Sequence, residues 1–131
     1  MLKKRMKDYV CEVCFYQLKS CKCVGGSPYR MIMIDEEIQE HIRILKDKKY
    51  ITTGSCAGHQ EICFCTYISF AIDYDFGSMQ LPKDFVYNKK RRTITYEYQR
   101  GLSKECFKKL RKEKLNDLLE WCRTLPTSEI R

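Results

Sequence analysis

Four cysteines fall within thirteen residues near the start of the chain: Cys11, Cys14, Cys21 and Cys23, in the spacing C-x2-C-x6-C-x-C. A C-x2-C pair puts two thiolates on one side of a tight turn at tetrahedral spacing. A second pair close by completes a four-sulfur set of the kind zinc holds in structural sites. Phe15 to Ser20 leave room for a short hairpin, so the segment is expected to fold as a very small zinc-ribbon-like module. Lys19 and Lys22 lie beside it and offset part of the site's double negative charge. The alternatives are iron, since four thiolates select the two metals comparably by softness, and four reduced thiols without a metal. With every position taken by protein, the metal is structural and has no open catalytic position.

Nine cysteines in 131 residues is a high share, and their clustering points to metal rather than disulfides in a reducing compartment. The opening MLKKRMKDYVCEVC has no apolar segment of the roughly 7–15 residues that a secretory signal needs. The most apolar stretch, Tyr67 to Ile72, is far below the ~20 residues that cross a bilayer. A cytoplasmic protein without membrane contact is therefore expected. The length excludes a barrel enzyme or a two-domain dehydrogenase; it suits a metal-stapled module over 1–27 beside an α/β domain over 28–131, with the boundary in the turn-forming Gly25, Gly26, Ser27 and Pro28. The net charge of +8 is uneven: residues 31–88 are net acidic and both flanks are basic. That arrangement favours an anionic partner, with nucleic acid first.

Met31 to Ile34 reads as a short strand, and Asp35 as the N-cap of a helix whose apolar face is Ile38, Ile42 and Leu45. His41 on that helix reads as a surface or boundary residue. Tyr50 to Thr53 reads as a strand entering a loop from Gly54 to His59. The clearest strand signal is Phe64 to Asp73, where Phe64, Thr66, Ile68, Phe70 and Ile72 face one way and Cys65, Tyr67, Ser69 and Ala71 the other. Asp75 to Pro82 reads as a loop, and Asp84 to Tyr87 and Thr93 to Tyr98 as strands. A long helix follows from the N-cap Ser103, with Phe107, Leu110, Leu115, Leu118, Leu119 and Cys122 inward. The fold class is thus α/β: a small mixed or antiparallel sheet flanked by two helices, with an N-terminal zinc-ribbon-like module.

Small residues around Ser55, Cys56, Ala57, Gly58 and His59 let backbone amides converge on a ligand, the makings of an anion nest. Cys56 with His59 also offers a nucleophile beside a base, or the segment is a structural turn. Cys63, Cys65, Cys106 and Cys122 read as core thiols. An acidic helix start (Asp35, Glu36, Glu37), a Tyr-x-Thr-Thr strand (Tyr50, Thr52, Thr53) and a Ser-Cys-x-Gly loop (Ser55, Cys56, Gly58) occur in that order. In this the chain resembles the wybutosine-synthesis methyltransferases that modify tRNA. The resemblance covers roughly Asp35 to Asp73; it implies a small α/β domain and, as an alternative activity, S-adenosylmethionine-dependent methyl transfer.

Lys89, Lys90, Arg91 and Arg92 precede a strand bearing Tyr96 and Tyr98, so charges for phosphates lie close to rings. Alternation beside Ile94 assigns the two tyrosines to the core, and the basic run is read as a phosphate-contacting tip. The sequence therefore points to a zinc-stapled α/β protein that binds RNA or a nucleotide-like anion through the 55–59 loop and the 89–92 run. Besides the methyltransferase, a second alternative is a compact interaction protein, of the kind viruses and mobile elements encode, that sequesters a nucleotide or blocks a protein partner.

Overall fold

The structure, a computed structural model, describes residues 5–23, 29–60 and 63–129. Its elements run β1 (Tyr9–Cys11), β2 (Met31–Met33), α1 (Gln39–Asp47), β3 (Thr52–Cys56), β4 (Cys65–Phe70), β5 (Val86–Asn88), β6 (Thr93–Glu97) and α2 (Lys104–Thr124). β1 and β2 form a two-stranded antiparallel sheet, and the other four strands form an antiparallel sheet in the order β3-β4-β6-β5. The α/β class, the antiparallel sheet, the two helices and the cysteine cluster near the N-terminus are all present. No helix among the described residues is long and apolar enough to cross a membrane.

Both helices cover the same face of the large sheet. Ile38, Ile42 and Leu45 from the first, and Leu115, Leu118, Trp121 and Cys122 from the second, share one core with Ile68, Phe70 and Ile94. Each such apolar side chain, fully buried, stabilises by about 1.5–3 kcal/mol. Ser103 caps α2 by accepting from the Cys106 amide at 3.1 Å. Past the end of α1, Lys49 takes a left-handed φ of 73°, and the Tyr50 amide donates back to the Leu45 carbonyl at 2.9 Å. This closure delivers the chain into β3. At the core centre is Phe76, fully buried in a short 3-10 turn, with ring centroids 4.7 Å from Phe70 and 5.4 Å from Trp121. The sequence reads that segment as plain loop, because one aromatic without a periodic neighbour gives no pattern.

Several expectations are corrected. The strand expected over 50–53 runs instead from Thr52 to Cys56, because pairing with β4 (Ser55 opposite Ile68, Cys56 opposite Tyr67) draws Ser55 and Cys56 into the sheet. The strand after Pro82 starts only at Val86, since Asp84 turns the chain at a φ of 65°. His41 is buried; its Nε2 donates to the Leu115 carbonyl at 2.7 Å, where α2 crosses α1. Of the cysteines read as core thiols only Cys122 is fully buried. Cys106 faces solvent on the first turn of α2, while Cys63 and Cys65 are half-buried at and before the start of β4. Leu110 and Leu119 are half-buried at the margins of the α2 stripe, whereas Lys114 is buried within it.

The cysteine segment joins the main core rather than standing apart. Val10 of β1 is fully buried in it, the Ile34 amide donates to the Asp8 carbonyl at 2.7 Å, and Gln39 donates to the Lys7 carbonyl at 2.6 Å. The turn at 25–28, where a boundary is expected, lies outside the described residues. Asp8 also takes over the role expected of Asp35: its Oδ1 accepts from the Glu36 amide at 2.8 Å, and Asp35 makes no capping bond. The Asp35 carboxylate is thereby released to face β3.

Candidate metal centre and the open sheet face

Cys11 ends β1. The chain reverses through Cys14 and Phe15, the latter at a φ of 61°, and the Phe15 amide donates to the Cys11 carbonyl at 2.9 Å. A 3-10 turn over Leu18–Ser20 then returns Cys21 and Cys23, and the four sulfurs all lie within 4.8 Å of one another. Tetrahedral zinc with bonds of about 2.3 Å separates its sulfurs by about 3.8 Å, so the cluster is of the right size to hold a metal ion. Cys11 and Cys21 are buried and the other two half-buried. Burial raises the Cys11 thiol pKa, but the amides of Cys14, Val13 and Tyr29 outweigh it and bring it to about 6. Burial, then neighbouring thiols, push Cys23 up to about 12 and raise Cys21 as well. One sulfur is thus prepared as a thiolate, while those of Cys21 and Cys23 require a cation to lose their protons.

The 55–59 segment is not an open nest. The Ala57 amide donates to Asp35 Oδ2 at 2.9 Å, the Gly58 amide to Cys56 Sγ at 3.4 Å, and the His59 amide to the Cys63 carbonyl at 2.7 Å. Carbonyls there are engaged too: Thr66 donates to that of Ala57 at 2.8 Å and Arg111 to that of Gly58 at 3.0 Å. Neither the groove over the open sheet face nor the clefts beside Tyr50 and beside His41 are lined by Ser55, Cys56, Gly58 or His59. The nucleophile reading also lacks its geometry. His59 Nε2 is bonded to Asp35 Oδ2 at 2.9 Å rather than to Cys56, and burial and the Cys63 thiol raise the Cys56 pKa, which keeps the free thiol protonated.

Lys89, Lys90, Arg91 and Arg92 form the exposed turn between β5 and β6. The turn is fixed by the Arg91 amide donating to Asn88 Oδ1 at 3.0 Å and by Arg92 Nε donating to the Phe70 carbonyl at 3.3 Å. Lys89 lies 3.9 Å from Asp73; among the described residues Lys90 and Arg91 make no ion pair. Tyr98 is buried, bonded to Thr66 at 2.6 Å, and Tyr96 packs against the core, so both tyrosines are on the helix side as alternation predicts.

Among the described residues no helix covers the other face of the sheet. A groove of about 1080 Å³ runs over it, lined by Thr53, Tyr67, Ser69, Thr95 and, at the hairpin end, Arg91 and Arg92. Glu97, opposite Cys65, stands at the far end. Tyr67 is the functional candidate that the sequence reading passed over. Its signal was the alternation of β4, which turns it away from Ile68 and so away from the core.

These features define a small α/β protein whose four-cysteine cluster can hold a metal ion. Comparison with known protein families, with curated proteins and with solved structures gives no match.

Proposed function

We propose that the four-cysteine cluster holds a structural zinc and that the protein binds single-stranded RNA across the uncovered face of its four-stranded sheet. The observation that carries this reading is that face itself: half-buried Tyr67 at its centre, hydroxyl side chains around it, and four exposed cations on the turn at one end. An aromatic ring on a sheet stacks a base for about 1–3 kcal/mol, and arginine and lysine at the rim take the phosphates. Glu97 sets a polarity, with the phosphate track at the hairpin end. The resemblance to the wybutosine-synthesis methyltransferases makes tRNA fragments the first RNAs to try. No step through S-adenosylmethionine enters the proposal, since the loop that carries the resemblance has its amides engaged.

Fluorescence anisotropy with a labelled single-stranded RNA of about twelve nucleotides, titrated over a range of salt, tests it. Single-strand affinity falls with salt at about 0.7 log units per neutralised phosphate. Alanine at all four positions 89–92 is expected to flatten that slope by up to about 3 and to weaken all sequences alike. Tyr67→Ala is expected to weaken binding without changing the slope. Absence of binding at low salt, or a slope unaltered in the fourfold variant, would overturn the reading.

A further inference from the structure

A second set of metal-ligating groups gathers at the end of β3, away from the four-cysteine cluster. Cys56 is the last residue of β3, and His59 follows three residues later across a turn that Gly58 makes at a φ of 102°. Asp35 arrives from the segment before α1. One ligand atom of each of these three lies within 4.8 Å of the others. His59 and Cys63 exchange both backbone hydrogen bonds, at 2.7 and 3.0 Å, which sets Cys63 beside Cys56, with its thiol 3.3 Å from that of Cys65. All these thiols are free.

Two features match the first cluster. Its spacing, Cys11-x2-Cys14 followed by Cys21-x-Cys23, is echoed by Cys56-x2-His59 followed by Cys63-x-Cys65. In both, the amide two residues on donates to the first sulfur at the same 3.4 Å: Val13 to Cys11, and Gly58 to Cys56. Such amide bonds fix the orientation of a sulfur, so the two clusters present their first thiol in the same local geometry. A carboxylate, an imidazole and a thiol within 4.8 Å of one another, with the second thiol of Cys63 beside Cys56 to complete the set, is a donor set that zinc accepts.

We propose that Asp35, Cys56, His59 and Cys63 bind a second divalent ion of the zinc type. Two thiolates and one carboxylate leave the filled site one negative charge in excess, and Arg111, held 3.0 Å from the Gly58 carbonyl, stands close enough to offset it. The ion bolts the segment after β2 to the β3–β4 corner. Because Cys56 pairs with Tyr67, it also braces one edge of the open sheet face.

The test is metal content and cobalt substitution on the full chain, purified under reducing conditions. Two equivalents of zinc per chain are expected, and two of cobalt after exchange. Cys21→Ser should retain one, with weaker sulfur-to-cobalt absorption because fewer thiolates remain. His59→Gln, which preserves a hydrogen bond to Asp35 while removing the imidazole, should fall to one equivalent. His59→Cys should restore two. A wild-type chain holding a single equivalent, or a His59→Gln variant still holding two, would refute the second site. Circular dichroism on the same samples verifies that His59→Gln remains folded, and the His59→Cys result decides the matter if it does not.

Discussion

Gly58→Ala is expected to be among the costliest single-methyl changes in this protein. A Cβ there would stand 3.0 Å from Thr66 Oγ1 and 3.0 Å from Tyr98 Cε2. Neither neighbour can retreat easily: Thr66 is fully buried, Tyr98 nearly so, and their hydroxyls are bonded at 2.6 Å while Thr66 also holds the Ala57 carbonyl. Forcing an L-residue to a φ of 102° costs about 1–2 kcal/mol. Displacing one partner of a buried hydroxyl network adds about 1–3 kcal/mol. The sum, about 2–5 kcal/mol, is a large fraction of the ~5–15 kcal/mol that stabilises a domain. At roughly 3–5 °C per kcal/mol for a chain of this size, Tm should fall by about 6 °C or more. Two other glycines separate the contributions. Gly101 has a φ of 89° but open space around it, so Gly101→Ala isolates the backbone cost of about 1–2 kcal/mol. Gly54 lies in β3 with no atom within 4 Å and no left-handed φ, so Gly54→Ala should be neutral or slightly stabilising. Thermal and urea unfolding followed by far-UV circular dichroism, at fixed zinc and reductant, gives the order. If Gly58→Ala proves no costlier than Gly101→Ala, the steric argument for the Thr66–Tyr98 network is wrong.

Three further expectations are independent of it. Burial holds the His41 pKa below 6.5, against the Leu115 bond that raises it, so the unfolded chain takes up a proton first on acidification. His41 therefore leaves stability undiminished above about pH 6.5 and lowers it as pH falls below that value; in His41→Gln the urea midpoint should lose this slope, and an unchanged slope would assign it to another group. Lys114 is buried, 2.9 Å from the exposed Asp84 and 4.8 Å from the Tyr96 ring centroid. Since the bond to exposed Asp84 only roughly repays the cost of burying the Lys114 ammonium, Lys114→Met should stay within about 1 kcal/mol of wild type while Lys114→Ala loses about 2 kcal/mol or more by leaving a cavity; equal urea-unfolding losses for both would contradict this. Cys21→Ser should release the zinc of the four-cysteine cluster and, because Val10 of β1 sits in the main core, lower the global melting transition rather than fray the first residues alone. A separate low-temperature transition, with the main one unmoved, is the opposing result.

What the sequence determined by itself was whatever a short period or a close spacing encodes. Four cysteines within thirteen residues can meet with little help from the rest of the chain. The alternation of β4 sorts Ile68 from Tyr67 through the geometry of a pleated strand, and the stripe of α2 with its Ser103 cap follows from the helical period. Tertiary structure decided everything that depends on a partner distant in sequence. Asp35 reads as a cap, yet Asp8 caps that helix from 28 residues away and frees Asp35 to meet Ala57 and His59. His41 reads as a surface or boundary residue until the Leu115 carbonyl, 74 residues on, accepts its hydrogen bond. Ser55 and Cys56 read as loop until β4 offers them a ladder. Local patterns record how apolar a position is and which way it points, while burial and pairing depend on what the rest of the chain brings against it.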